Sequence, residues 1–293
     1  MALSGFAQTS IKKTLDFAER QFDVAFDEIA KSKSKRPTMV APRSLRHDTL
    51  FMVPSSDWTS GFFAGNMWYM YELTNKKKWL TKAQDFTTAL ESQKNNNRTH
   101  DMGFKMYCSY GNGLRLSKNE QYRQVLLESA RTLSTRYNPK VRCIRSWDFG
   151  KWKFPVIIDN MMNLELLFWA FKETKDSLFY DIAVNHAITT LQNHYRADNS
   201  SYHVIDYDPE SGKVIGRQTH QGFSDESAWA RGQAWGLYAF SMCYRETRKQ
   251  EFLDHAEKIA EFMLNHPNLP PDLIPYWDFN VPTMPNAPRD ASA

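Results

Sequence analysis

The chain has 293 residues, room for one large domain or two small ones, and its 42% hydrophobic and 24% charged content is that of a globular protein. Its 37 basic against 33 acidic residues leave a formal net charge of +4, too weak a balance for a nucleic-acid partner, and no apolar run is long enough to span a bilayer. Three scattered cysteines, Cys108, Cys143 and Cys243, share no metal-ligand spacing, so they read as free buried thiols and no metal site is expected.

The opening M-A-L-S-G-F-A-Q lacks the basic start and full apolar stretch of a signal peptide, although Ser4-Gly5-Phe6-Ala7 fits the end of a cleaved one. That leaves two compartments open: periplasmic if a signal has been removed, cytoplasmic otherwise. An amphipathic helix entered at Ser10 is predicted over residues 10–31, followed by a solvated basic linker at Lys31–Arg36. Residues 58–73 form a helix apolar nearly all round, and 78–90 one with a polar face. Residues 120–137 are amphipathic with Pro139 as a stop, 158–171 again apolar, and 177–194 amphipathic. Residues 228–245 are apolar and rich in small residues; 251–264 are amphipathic and stopped by Pro267. One segment alone reads as β, a hairpin of residues 202–207 and 213–217 around a Gly-containing turn.

Apolar helices thus alternate with helices that have one wet face, as in two concentric rings. The predicted fold is all-α, an (α/α)6 barrel or toroid forming a single domain over residues 1–293. About nine helices are expected against the twelve of a closed toroid, and Arg289-Asp290-Ala291-Ser292-Ala293 reads as the start of a further helix. The barrel is therefore expected to be incomplete at its C-terminal end.

Asp159 stands out in V-I-I-D-N-M-M-N-L-E-L-L-F-W-A, residues 156–170, where eleven of fifteen positions are apolar. A carboxylate there is costly unless it is paired or its pKa rises, and a raised pKa suits a general acid. The alternative is an N-cap for the following helix. Asp101, in T-H-D-M-G-F, is a second acid in apolar company, with Gly103 expected to let the backbone turn tightly. His100, Tyr107 and Tyr110 make a pocket wall there. Trp58, in D-W-T-S-G-F-F-A-G, offers a flat ring at a helix mouth. Trp147 and Trp152 fall within six positions of each other, in a stretch bounded by Arg145 and Pro155. A fourth segment holds His203, His220, Gln221 and then W-A-R-G-Q-A-W-G, where Arg231 and Trp235 lie four apart on one helix face. Arg231 on so apolar a helix needs an anionic ligand or a buried acidic partner. Asp148, Asp206 and Asp208 read as solvated or capping residues in turns. No G-x-S-x-G, H-E-x-x-H or phosphate-binding glycine loop competes.

Taken in order, D-W-T-S-G-F-F-A-G, T-H-D-M-G-F, R-S-W-D, V-I-I-D-N-M-M-N, W-A-R-G-Q-A-W-G and R-D-A-S-A resemble the unsaturated glucuronyl hydrolases of glycoside hydrolase family 88. The resemblance implies an (α/α)6 barrel that removes the 4,5-unsaturated uronic acid left by polysaccharide lyases at the non-reducing end of oligosaccharides. It implies Asp159 as general acid/base and Asp101 as the second essential aspartate. His100, Trp58, Trp147, His203, Gln221, Arg231 and Trp235 would line the sugar subsite. No metal or organic cofactor is called for; the expected partner is an unsaturated oligosaccharide, with no nucleic acid and oligomeric state left open. Family members continue past R-D-A-S-A. Alternatives are an unsaturated rhamnogalacturonyl hydrolase acting on pectin fragments, a sugar 2-epimerase working through histidines, and a non-catalytic helical carbohydrate-binding protein.

Overall fold

The computed structural model describes the backbone of residues 3–293 and the side chains from residue 11 onward. The side chains of Ser4–Ala7 and of Ser10, on which the cleaved-signal and helix-entry expectations rest, lie outside the described residues. The chain divides into two compact units, Met1–Lys94 with Phe104–Leu126, and Asn95–Gly103 with Leu127–Ala293.

In the first unit α1 (Leu3–Lys35) is longer than predicted at both ends and leads into a hairpin of β1 (Met39–Arg46) and β2 (Thr49–Pro54). This hairpin was not expected. Its strands join through His47 and Asp48, both at positive φ (47° and 58°), and Arg46 pairs with Thr49. Two-residue turns of this hand favour Asn or Gly, so His-Asp gave no turn signal. Next come α2 (Ser60–Thr74) and α3 (Lys77–Thr88). The apolar α2 buries Phe63, Met67 and Trp68, with Trp68 Nε1 donating to Thr87 Oγ1 at 2.9 Å. A side chain at Gly61 would run into the backbone carbonyls of Phe104 and Lys105, so the glycine is what lets α2 lie against that segment. The segment is a π-helix, Gly103–Gly111, continued by α4 (Asn112–Ser117).

In the second unit, which receives the end of α5 (Glu120–Ser134), a short β3 (Tyr137–Asn138) pairs with β4 (Cys143–Ile144). The predicted β-hairpin is present as β6 (Val204–Tyr207) and β7 (Val214–Gln218), but β5 (Pro155–Ile157) adds a third antiparallel strand with Val156 opposite Ile205. A 3-10 turn, Ile158–Asn163, separates β5 from α6 (Leu164–Thr174). Then follow α7 (Ser177–Asn193), α8 (Ala230–Thr247) and α9 (Gln250–Asn265). Residues 289–293, expected to open a helix, instead form a bridge between Arg289 and Tyr276 and a turn closed by the Asp290 carboxylate on Ser292.

The expected alternation of apolar and half-wet helices is built from one repeated device. α2–α3, α6–α7 and α8–α9 are antiparallel helix pairs, each joined by two residues of which the first is left-handed: Asn75, Lys175 and Arg248. The first member is the more buried one in α2–α3 and α8–α9. Cys143 and Cys243 are buried free thiols as expected, whereas Cys108 is only half-buried.

His186 and His194 are fully buried, and loss of hydration pushes each from an ordinary value near 6.5 down to about 3; the same cause takes His255 to about 4. In the unfolded chain these rings gain protons as pH falls through about 6.5, while in the folded protein they stay neutral. The unfolded state therefore binds more protons between those limits, and stability drops as pH falls, by up to about 1.4 kcal/mol per pH unit for each ring. The melting temperature is expected to decrease steadily from pH 6.5 to 5, before most carboxylates titrate. A melting temperature constant across that range would refute this account.

Candidate active site

The site is built where β5 runs into the 3-10 turn of residues 158–163, and all of its geometry lies within the second unit. Asp159 is 8% exposed. It caps no helix: the residues preceding the 3-10 turn and α6 are Ile157 and Asn163, and neither helix start has a side-chain cap. Instead Asp159 Oδ2 faces His203 Nε2 at 3.5 Å, and neither atom has a hydrogen-bond partner among the described residues. The backbone holds the two in place, because Ile158 N–H donates to His203 O at 3.1 Å.

His203 is 3% exposed, and its tautomer follows from its surroundings. The backbone N–H groups of His220 and Gln221 both donate to His203 Nδ1, at 2.9 and 3.1 Å. A nitrogen that accepts two donors carries no proton, so the ring proton is on Nε2, pointing at Asp159. The loop that supplies those amides is fastened in turn. Thr219 Oγ1 accepts Gly222 N–H at 2.7 Å, Asp225 Oδ1 accepts Thr219 N–H at 2.8 Å, and buried Asp278 accepts from Phe223 N–H and Ser227 Oγ. Gln221 thus contributes its backbone here, while its side chain is half-buried. His220 stands above the ring of Trp147, its pKa lowered by partial burial and by the neighbouring His203.

Ser146 ties the His100–Asp101 segment to the Asp159 segment. Its carbonyl accepts His100 N–H at 3.2 Å, and its Oγ accepts Ile157 N–H at 2.9 Å and Asn160 Nδ2 at 3.3 Å. His100 is buried, with Nε2 3.3 Å from Asp101 Oδ1 and Nδ1 unpartnered; Asp101 Oδ2 accepts the Thr99 hydroxyl at 2.6 Å. Gly103 does not make the tight turn expected of it: its φ is not positive, and it opens the π-helix. What it supplies is clearance, since a Cβ there would come within 2.7 Å of Asn163 Cα.

Aromatic rings surround the pair. Trp147, 8% exposed, packs with Ile157 and Val204, and its ring is 6.5 Å from that of His203. Trp229, which the sequence reading quoted without singling out, lies edge-on to His203 at 4.9 Å. Gly232 lets α8 approach, because a Cβ there would meet Ile158 Cγ2 and the Trp229 ring. Arg231 is half-buried and has a buried acidic partner: Nη1 donates to Asp290 Oδ2 at 2.9 Å and reaches Ser292 Oγ at 3.2 Å, with the guanidinium carbon 4.8 Å from the Trp229 ring. Trp235 is half-buried one helical turn further along α8. Trp58 belongs to the first unit, where it packs on Phe62 and Phe104 under the Arg43 guanidinium. Two of the acids read as turn residues are held otherwise. Asp206 is a buried residue of β6 accepting Lys153 and Phe154 N–H, and Asp148 pairs at both oxygens with Arg136, which holds its carboxyl below the usual range.

Sequence reasoning missed Ser146, Asn160, Trp229 and Asp278. Ser146 was quoted inside R-S-W-D, but a serine accepting from two distant segments leaves no periodic signal. Among the described residues no three His, Cys, Asp or Glu side chains are grouped to hold a metal ion.

The family profile described as Glycosyl Hydrolase Family 88 matches residues 29–272. An unsaturated glucuronyl hydrolase of Formosa agariphila is 55% identical over 253 residues, covering 85% of this chain and 63% of the relative. An unsaturated chondroitin disaccharide hydrolase of Streptococcus pneumoniae is 33% identical over 247 residues, covering 83% and 62%. The chain thus spans a little under two thirds of the length of these two curated relatives. Among solved structures, an unsaturated glucuronyl hydrolase specific for heparin superposes with a TM-score of 0.85 at 50% identity, covering 90% of this chain and 71% of that one. Those structures are α/α barrels, the helix-rich class expected here, and this chain carries a few small β-hairpins besides its helices.

Proposed function

The chain belongs to glycosyl hydrolase family 88, and on that premise we propose that it removes the 4,5-unsaturated uronic acid from the non-reducing end of lyase-generated, glycosaminoglycan-type oligosaccharides. The observation that carries this is the buried Asp159 facing the Nε2–H of His203 at 3.5 Å. The C4–C5 double bond of the substrate is an enol ether conjugated to the C5 carboxylate. Asp159 donates its proton to C4, positive charge develops at C5 and the ring oxygen, and the resulting carboxylate takes a proton from the water that attacks C5. The hemiketal so formed opens and expels the rest of the saccharide.

His203 supports this cycle by aiming a fixed N–H at the oxygen that becomes charged, with no reorganisation at the moment of transfer. One carboxyl that gives and then regains a proton is sufficient, so the carboxylate spacing that separates retaining from inverting glycosidases does not apply. Asp101, held by Thr99 and His100, is the second acid of the site, and Trp147, Gln221 and Trp235 are its sugar contacts.

Hydration destroys the conjugated chromophore, so loss of ultraviolet absorbance on unsaturated disaccharides from chondroitin, hyaluronan, heparin and pectin tests the activity directly. Turnover of the pectin fragment alone would favour the rhamnogalacturonyl reading. Binding without loss of absorbance on any of them would leave a carbohydrate-binding protein. The relatives support the glycosaminoglycan class: one is named for a chondroitin disaccharide and another is specific for heparin.

Arg231 is proposed to meet the substrate carboxylate while remaining paired with Asp290. Arg231→Ala is expected to raise KM about ten-fold or more, since a hydrogen bond to a charged group is worth about 1.5–3 kcal/mol. It should also lower the melting temperature, because Asp290 is 8% exposed and loses its cation. A lowered melting temperature with an unchanged KM would confine Arg231 to the ion pair.

A further inference from the structure

Beside the Asp159–His203 pair a fastened turn displays an aromatic ring to solvent. Phe149 is 57% exposed, although burying such a side chain is worth about 1.5–3 kcal/mol. The turn is not loose. Before Phe149, Asp148 takes both guanidinium ends of buried Arg136 at 3.0 Å. After it, Trp152 Nε1 donates to Gln218 Oε1 at 2.7 Å, and Asp206 accepts the N–H groups of Lys153 and Phe154 at 3.2 and 2.8 Å. Gly150 makes the turn at φ +81°, and a Cβ on it would come within 2.7 Å of the Trp152 ring.

The rings form a ladder leading outward from the pair. Trp147 is 6.5 Å from His203, and Phe149 is stacked on Trp147 at 5.0 Å with the planes 16° apart. Trp152 and His220 flank Trp147, each at 5.3 Å, and the His220 ring is 6.1 Å from Phe149. Phe149 therefore stacks on Trp147 while more than half of its side chain stays exposed to solvent. An aromatic ring fastened in an exposed position beside a site offers a stacking surface, and the ligand it suits presents flat C–H faces.

We propose that Phe149, backed by Trp147 and flanked by Trp152 and His220, is the platform on which sugars on the reducing-end side of the unsaturated uronic acid stack. This rests on the reading of Asp159 and His203 as the place of the uronic acid. The Phe149 ring carries no charge of its own, although the Lys151 ammonium lies 5.9 Å from the Trp152 ring, so Phe149 senses chain length through stacking and makes the protein favour substrates longer than a disaccharide.

The test compares wild type, Phe149→Ala and Phe149→Tyr on an unsaturated disaccharide and an unsaturated tetrasaccharide from one polymer. Turnover is read from the double-bond absorbance, and binding from quenching of tryptophan fluorescence, to which Trp147 and Trp152 contribute. Phe149→Ala is expected to raise KM and Kd for the tetrasaccharide about five- to ten-fold, with a smaller change for the disaccharide. kcat and melting temperature should hold, and Phe149→Tyr should behave as wild type. Tetrasaccharide KM and Kd within two-fold of wild type in Phe149→Ala would overturn the platform, as would a change confined to self-association on size-exclusion chromatography. A wild type that hydrates neither substrate would sink the proposed activity instead, and the fluorescence titration would still decide the platform.

Discussion

Asp159→Asn is expected to lower turnover of an unsaturated disaccharide by about 10²–10⁴-fold, the range that a positioned acid/base contributes, while leaving the protein folded. Asn has nearly the same volume but has no acidic proton to give to C4 and cannot take one from water. The fold should survive because the Asp159 carboxyl caps no helix and its Oδ2 accepts no hydrogen bond among the described residues, facing His203 at 3.5 Å. Absorbance decay and thermal melting on the same preparation read both halves of the prediction. A variant with kcat within ten-fold of wild type, a barrier difference of about 1.4 kcal/mol, would remove Asp159 from the role of general acid.

His203→Ala has a different expected signature, with turnover and stability both affected. The substitution leaves the N–H groups of His220 and Gln221 without their shared acceptor and opens a void at a position 3% exposed. A loss of about 2–4 kcal/mol in chemical denaturation is expected from the void and the orphaned amides together. Turnover, measured well below the lowered midpoint, should fall about 10²–10³-fold, because the carboxylate of Asp159 then forms with no donor facing it. A destabilised protein with normal kcat would reduce His203 to a pin for the loop of residues 219–227. The two variants together separate proton transfer from the positioning of the group that performs it.

The helices were legible because their cause is local. Apolar spacing gave α2, α3, α7, α8 and α9 to within a few residues, whereas the first six residues of the helix predicted over 158–171 form a 3-10 turn ahead of α6, and the succession of helices reappears as three helix pairs. The residues that went unread act across long stretches of chain. β5 pairs with β6 some fifty residues later, and a three-residue strand has no period of its own. The β1–β2 hairpin turns on His47 and Asp48, whose left-handed backbone is imposed by the pairing of the strands and not announced by glycine. Gly103 was read as a turn and works as a gap beside Asn163, a distinction that depends on what lies opposite.

Residue chemistry alone singled out the side chains proposed to carry the reaction: an acid among apolar neighbours at Asp159, a second at Asp101, histidines at 100 and 203, and an arginine on an apolar helix. The family could be read as well, because its motifs are short and continuous. The tertiary structure decided how those groups are used. It turned Asp159 away from capping and towards His203, fixed the proton of His203 on Nε2 through two backbone amides from residues 220 and 221, and gave Arg231 a carboxylate at Asp290. The physical reason is one of range. Burial tendency and helical period are written within a few residues, whereas a hydrogen bond's direction and a ring's tautomer depend on partners brought together only when the chain folds.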